Sequence, residues 1–501
     1  MSEIKAGAIL NYTSLFIRLG VGFFLSPFVL ECLGKAEFGI YTIAGTIISW
    51  LALCDFGLGA SATKFISEYQ TKGDAEGEAR YIGNAAILFS IVGAFVLVAG
   101  LCIYPFLGNI FPKFSAEELQ LYQILYLMTL FNTALMFPMR SLGGISAARQ
   151  KYKIPGIVGI ITSLLSTIGT IILLQLGYKS IALSAMGIGF GILGMLWNIY
   201  YCFGILKARV TFGKLDIPLC KTMFSFSIWM FLDQLINIMN TGSSNFIVGM
   251  TCGAEEIAVY SYGLALFQYF FMLSGCIAGL FLPRVVGAVV KGASNAVQTD
   301  MMIRVARIQF ILIGCAYFGI IFFGNDFFSL WVGDTLGSRT SDCWFVTVSI
   351  MIPYGFLLMQ ALGWQILQAR NAMKYRVSVL ACTSFLSLIL GYYLSLNFGT
   401  KALAIGTSCS IILGQGLFMN WFYWKRLGLE IPRFFKESLR GWFIWLPLIL
   451  ICGYGINSFI SESSWSIFFV KISCFTLFYA LIVFFFYANK QEKKSILPFI
   501  H

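Results

Sequence analysis

Apolar residues in this chain come in long blocks, separated by short stretches that hold most of the charge. About 20 consecutive apolar residues in a helix cross the roughly 30 Å hydrocarbon core of a bilayer. A helix also lets a segment satisfy its own backbone hydrogen bonds where there is no water. Fourteen blocks reach that length: 8–30, 38–60, 81–104, 119–140, 154–177, 180–205, 222–249, 257–282, 305–325, 344–367, 375–396, 401–424, 439–460 and 467–488. The pattern predicts an all-α polytopic membrane protein with 14 transmembrane helices. Met1 to Gly7 hold one basic residue and no polar region ending in an A-x-A cleavage signature. The block that follows is long and carries Arg18, so it reads as an uncleaved first helix rather than a signal peptide.

Lysine and arginine turn this count into a topology. Taking the loops alternately, 27 of the 34 Lys and Arg residues fall on the side that holds both termini and six on the other, with Arg18 inside a helix. Basic loops stay in the cytoplasm, so both termini are expected there. A single missed helix would scramble the alternation after it. The outward loops are short, which leaves no external domain.

The chain also repeats itself. Gly34-Lys-Ala-Glu37-Phe38-Gly-Ile40-Tyr41 recurs as Gly253-Ala-Glu-Glu256-Ile257-Ala-Val259-Tyr260. Gly177-Tyr-Lys179-Ser-Ile181-Ala182-Leu183 recurs as Gly399-Thr-Lys401-Ala-Leu403-Ala404-Ile405. Between them, Ala148-Arg149 with Lys151-Tyr152-Lys153 matches Ala369-Arg370 with Lys374-Tyr375-Arg376. Each unit holds six helices, an even number, so the copies are parallel and related by an axis along the membrane normal. The expected organisation is a first lobe over 1–207 (helices 1–6), a second over 208–426 (helices 7–12), and helices 13–14 with a cytoplasmic tail over 427–501. Two parallel lobes facing a central cavity are a common plan for alternating-access transporters.

Composition agrees: 58% of residues are hydrophobic and 11% charged, against about a quarter charged in soluble chains. The net charge of +12 is absorbed by the topology, so nucleic acid is not an expected partner. With 13 cysteines but no C-x-x-C, and with His501 as the single histidine, a zinc or redox site is not expected. Cys32 and Cys252 stand at mated outer ends of helices 1 and 7, as free thiols by default, with a disulfide as the alternative.

The candidate chemistry lies in the few polar groups inside the spans. Arg18 sits near the middle of the first, too deep for its guanidinium to reach the headgroups easily. A charge at that depth costs about 2.5 kcal/mol or more, so it normally faces a bundle interior or a watery cavity. Arginine is also the side chain that grips phosphate through two parallel hydrogen bonds. The alternative is a structural ion pair or anchor within the first lobe. In helix 7, the repeat mate of helix 1, Asp233, Asn237, Asn240 and Ser244 are spaced i+4, i+3 and i+4, hence share one face. That stripe is expected to wall a cavity, with Asp233 one turn from the position symmetric with Arg18. Asp55, in helix 2, is expected to serve nearby basic loop residues or the cavity. Arg140, at the cytoplasmic end of helix 4, either meets an entering anion or snorkels to the interface. Arg149 and Arg370 read as structural mates. Pro27, Pro138 and Pro353 fall within helices, and aromatics such as Trp50, Trp197 and Trp364 read mainly as packing and interface residues.

Glu31-Cys-Leu-Gly-Lys-Ala-Glu-Phe-Gly-Ile-Tyr41, followed by Asp55-Phe-Gly-Leu-Gly59, resembles the first two helices of the polysaccharide transporters known as O-antigen flippases. These belong to the superfamily that also holds multidrug exporters and the lipid II flippase. Leu282-Pro-Arg284 and Gln365-Ile-Leu-Gln-Ala-Arg370 fit the same pattern. The resemblance implies a carrier of undecaprenyl-pyrophosphate-linked oligosaccharide from the inner to the outer leaflet of a bacterial inner membrane. It implies no catalysis and no cofactor, and leaves coupling to Na+ or H+ open. Its implied partners are the lipid-linked oligosaccharide, the bilayer, and a glycan polymerase or other assembly proteins. Under it, Arg18 would contact pyrophosphate or an acidic sugar. Asp233 would serve an ion, pair with Arg18 or touch sugar. In the lipid II branch a helix-7 acid joins a sodium site, but the helix-11 partners expected there are replaced here by Ser378, Thr383, Ser384 and Ser387, which puts sodium in doubt.

Two other functions compete. An ion-coupled multidrug exporter shares the two-lobe plan, but the central arginine disfavours cationic cargo. A membrane-embedded glycan polymerase or ligase would carry acid and base residues in larger external loops, and no carboxylate pair or nucleophile–base arrangement stands out.

Overall fold

The fold was described from a computed structural model, which describes residues 3–52, 65–66, 68–70, 72–149, 151, 153–212, 216, 218, 231–232, 235–236, 238–239, 243–279, 288, 292–370, 372–460, 464–489 and 492–493. Among these there are helices and no strands, and ten helical stretches are long and apolar enough to cross a membrane. The chain is a multi-pass membrane protein. Its helices gather into two compact units, Met1–Ala258 and Val259–His501. The described part of the seventh block therefore groups with the N-terminal helices, whereas sequence repetition alone assigns it to a second lobe.

In the first unit, α1 spans Glu3–Leu33 and α2 spans Lys35–Ala52. They are followed by α3 (Ala75–Ile103), α4 (Ala116–Met136), α5 (Lys153–Gln175) and α6 (Ser180–Ile199). Local chemistry sets the starts of these helices. Asp74 accepts the Gly77 N–H at 2.7 Å and caps α3. Ser115 and Glu118 close a capping box on α4, each accepting the other's backbone N–H, at 3.2 and 2.8 Å. Pro138 ends the regular part of α4 in the tight turn Phe137–Met139, after which the helix resumes as Arg140–Ala148. Pro27 is carried inside α1 and leaves the carbonyl four residues before it without a helical donor. The last helical stretch of the unit, residues 243–251, is labelled α7.

The chain passes from the first unit into the second within α8, Ala254–Gly279. In the second unit, α9 runs for 42 residues, Asn295–Leu336, about 63 Å of helix. The apolar pattern predicted a shorter span, 305–325. Ser294 caps the helix before that block begins, and no proline interrupts it afterwards. Gly337–Arg339 turn the chain into α10, Thr340–Leu358. The two helices form a hairpin, with the Trp344 indole donating to the Ile320 carbonyl at 3.2 Å and the Tyr317 hydroxyl to Ile352 at 3.3 Å. Then come α11 (Met373–Phe398), α12 (Thr400–Ile411, continued by a wide turn through Met419), a short amphipathic helix Ile431–Ser438, α13 (Trp442–Phe459) and α14 (Trp465–Ile482). Ile431 and Phe434 bury the apolar face of the short helix, while Arg433 pairs with Asp300 on α9 at 2.6 Å.

The sequence repeat is also a repeat of backbone conformation. Gly34 and Gly253 both have positive φ (77° and 100°), as do Gly73 and Gly292 (69° and 72°) and Gly177 and Gly399 (83° and 71°). Glycine enters this region without a Cβ clash. The fourth pair is Lys207 (φ 51°) and Gly428 (φ 70°), so a lysine holds a left-handed turn whose mate is glycine.

Two ion pairs fasten α14 and the segment after it to α9. Lys471, 2% exposed, donates to Asp326 at 2.6 Å. Toward the other end of the helix, Arg307 grips Glu492 with two hydrogen bonds of 2.7 and 2.8 Å. Between them the Tyr479 hydroxyl donates to the Phe310 carbonyl at 2.5 Å, inside an aromatic cluster with Trp445 and Tyr487.

Candidate functional site

Arg18 stands midway along α1, about 22 Å of helix from either end. Its helical position is described and its side chain is not. Asp55, Asp233, Asn237 and Asn240 lie outside the described residues, as do Leu282, Pro283 and Arg284. Arg140 is the one residue of the expected site whose side-chain surroundings are described. It begins the helical segment after the Pro138 turn, half-buried, with its guanidinium carbon 4.7 Å from the centre of the Phe137 ring. A cation over an aromatic face in this range contributes about 0.5–1 kcal/mol at exposed sites. Pro138 therefore fixes where that charge is presented.

The polar stripe of the seventh block can be followed from Ser243 onward. Ser243, Ser244 and Asn245 are all buried, and the Ser243 hydroxyl has no partner among the described residues. The same segment then closes tightly against α2. A Cβ on Gly39 would run into the carbonyl of Ala254 and lie 3.3 Å from the Ile257 Cβ. A Cβ on Gly249 would lie 2.9 Å from Ile43 and 3.1 Å from both Ile257 and Phe111. The Phe111 and Phe246 rings meet edge to face at 5.1 Å. Gly39 and Ala254 belong to the two copies of one repeated motif, so the copies pack directly on each other. Sequence reasoning used that motif to find the repeat and missed the contact; the small residues within it were the available sign. Cys32 and Cys252 are not joined in a disulfide, and the Cys252 Sγ lies 3.3 Å from the Thr251 hydroxyl.

Arg149 and Arg370 do the same structural work in their two units. Arg149 donates to the Leu206 carbonyl and, at 2.9 Å, to Glu78. Arg370 donates to the Leu427 carbonyl at 2.8 Å and to Gln298 at 2.6 and 3.1 Å. Leu206 and Leu427 are separated by the same sequence distance as the two arginines. Each arginine thus ties the end of a sixth helix to the start of a third. The segment after that helix is pinned in the same way: the Thr211 N–H donates to the Ala79 carbonyl at 3.1 Å, and the Glu430 N–H to the Thr299 hydroxyl at 3.1 Å. Both arginines are thereby committed to the scaffold. Among the described residues no cluster of His, Cys, Asp and Glu could hold a metal ion.

The comparisons with known proteins fit this architecture. The model of the family described as "Polysaccharide biosynthesis protein" matches residues 4–290, more than half of the chain. A Shigella flexneri protein named "Putative O-antigen transporter" is 22% identical over 411 residues, covering 79% of this chain and 92% of that protein. The "Probable flippase AglR" of Haloferax volcanii is 21% identical over 429 residues, covering 83% of this chain and 82% of that protein. Among solved structures, the lipid II flippase MurJ in an inward closed conformation superposes with a TM-score of 0.71 at 18% identity, over 98% of this chain and 100% of its own. An inward-facing multidrug transporter of the MATE family gives 0.66 at 15% identity, over 84% and 95%. These neighbours show the fold, and they are transporters and flippases rather than catalysts. The chain is a member of the polysaccharide biosynthesis protein family, a multi-pass membrane protein with the fold shared by MurJ and the MATE transporters.

Proposed function

We propose that this protein flips an undecaprenyl-pyrophosphate-linked oligosaccharide from the cytoplasmic to the outer leaflet of a bacterial inner membrane. The observation that carries this reading is an arginine halfway along a 31-residue membrane helix in a chain of this family. Pyrophosphate and sugar cannot cross hydrocarbon unaided, while a prenyl chain can stay in lipid. The carrier therefore has to offer a cation inside a watery cavity that opens sideways. Arg18 supplies the cation, and the stripe Asp233, Asn237 and Asn240 supplies hydrogen-bonding groups for sugars. Arg140 receives the diphosphate on entry, and Asp55 lies at the same end of the path. Fourteen spans with both termini in the cytoplasm give two six-helix lobes, 1–207 and 208–426, with 427–501 appended. The lobes alternate access by rocking, and the tight packing of Gly39 on Ala254 supports a state closed at the outer end.

Surface polysaccharide in a flippase-deficient strain tests this reading. Arg18→Ala is expected to lower it by about tenfold or more at equal membrane expression, since a hydrogen-bonded charge contributes about 1.5–3 kcal/mol. Arg18→Lys is expected to restore part of it, keeping charge without the bidentate grip. Normal polysaccharide with Arg18→Ala would defeat the proposal. Asp233 is the residue proposed for coupling to Na+ or H+. Transport into proteoliposomes should then depend on one of these gradients in wild type and lose that dependence in Asp233→Asn. Transport indifferent to both gradients removes Asp233 from that role and leaves it as a sugar contact or a partner of Arg18. A glycan polymerase or other assembly protein is the partner proposed for handing on the product.

A further inference from the structure

Between α8, α9, α10 and α13 lies a cavity of about 440 Å³, within the range of about 300–1,000 Å³ typical of small-molecule sites. Its walls are almost wholly apolar and include the rings of Phe270, Phe310, Tyr317, Phe318, Trp442 and Trp445. The Tyr317 hydroxyl donates to Ile352 and the Trp445 indole to the Arg440 carbonyl at 3.1 Å, so these two protons are already used. Ser274 and Gln309 are the polar lining residues, 0% and 3% exposed. The Gln309 amide nitrogen donates to the Ser274 carbonyl and hydroxyl, both at 3.3 Å. Because the carbonyl can only accept, this contact fixes which end of the amide is oxygen. That oxygen, Oε1, is buried and has no partner among the described residues.

The cavity therefore has direction. Gln309 lies two residues from the buried Arg307, while Ile321, also in the lining, is about 18 Å further along α9. One end offers a lone acceptor and the rest offers hydrocarbon and aromatic faces. Trp442, 47% exposed, opens one side toward lipid. Arg307 offers no free cation here, since Glu492 and the Tyr487 and Glu437 carbonyls occupy it. A charged headgroup would be buried beside Gln309 without a counter-ion, which is strongly unfavourable. A plain hydrocarbon would leave Oε1 unpaired.

We propose that this cavity is a binding site for a neutral amphiphile with one hydroxyl group, its O–H donated to Gln309 Oε1 and its aliphatic chain laid along the aromatic wall. The occupant is a resident membrane lipid of the fatty-alcohol or glyceride class, distinct from the transported molecule. It fills the space that joins α13 to the hairpin of α9 and α10.

The test uses the full-length protein in phosphatidylcholine nanodiscs, titrated with a chain-brominated fatty alcohol and, separately, with its methyl ether. Bromine quenches nearby indoles, and the component lost in Trp445→Phe reports the cavity. Wild type is expected to bind the alcohol about tenfold more tightly than the ether, the effect of one hydrogen bond to an otherwise unpaired acceptor. Gln309→Leu is expected to remove that preference. The comparison of alcohol with ether in wild type stands even if the variant fails to fold. Equal binding of the two probes, or no quenching assigned to Trp445, overturns the proposal. So does a preference that survives in Gln309→Leu. Displacement of the alcohol by an equal concentration of a polyprenyl phosphate also overturns it, by giving the cavity to the transported lipid.

Discussion

Lys471→Met is expected to destabilise the second unit by about 3–5 kcal/mol, the cost of stranding one member of a buried ion pair. Lys471 is 2% exposed, and the Asp326 carboxylate that accepts its hydrogen bond at 2.6 Å is 20% exposed. One turn away on the two helices Phe323 and Phe475 pack edge to face at 5.5 Å. The prediction separates pairing from packing. Lys471→Met with Asp326→Leu removes both charges and fills the space with hydrocarbon, which is expected to recover most of the loss. Thermal unfolding in detergent micelles reads both variants. A double variant no more stable than Lys471→Met would show that the charge left behind is not the cause.

Arg307→Met is expected to have an effect of similar size, with a further consequence for the C-terminal segment. Arg307 holds Glu492 through two bonds, and donates to the Tyr487 carbonyl at 2.7 Å and the Glu437 carbonyl at 3.1 Å. One side chain thus joins α9, the end of the short amphipathic helix and the segment after α14. Its loss leaves a half-buried carboxylate without its hydrogen-bonded cation, at about 3–5 kcal/mol. It should also expose the chain at Ala488, Asn489 and Glu492 to protease before the rest of the unit opens. Burial alone would raise the Glu492 carboxyl, but the Arg307 hydrogen bonds, the Asn489 N–H and the arginine charges outweigh it and hold the group below its ordinary value. A lowered carboxylate stabilises the fold above its unfolded value and loses that contribution as pH falls through the lowered one. The difference between wild type and Arg307→Met should therefore shrink below about pH 4. A gap that stays constant down to pH 3, or cleavage of the tail no faster than in wild type, would contradict this arrangement.

The helices were legible where apolar runs decide them. The start of α9 was not, because Asn295, Gln298, Thr299, Asp300 and Arg304 form a helix outside the apolar block, held by a cap and by the short helix Ile431–Ser438. In the sequence Lys471 is a lone charge near the start of the apolar block 467–488. Its burial depends on Asp326, 145 residues away, and pairing between distant helices leaves no local pattern. Arg149 and Arg370 were visible as mates, but the carbonyls they hold carry no side-chain signature. Arg18 was legible for the opposite reason: a single charge inside an apolar block is conspicuous by position alone. Lys207 hid its left-handed turn, which only its mate Gly428 betrays.

Arg307 and Asp326 are 19 residues apart on α9, about 28 Å of helix, close to the roughly 30 Å thickness of bilayer hydrocarbon. Asp326 holds α14 itself through Lys471, and Arg307 holds the segment that follows it through Glu492 and the Tyr487 carbonyl, so α14 cannot slide along α9 to suit a thinner or thicker membrane without breaking one of these contacts. The second unit thus carries a fixed gauge, and tilting is the accommodation left to it when the bilayer does not match. Bilayer thickness becomes a variable that acts on this protein directly, through the angle at which its appended helices stand.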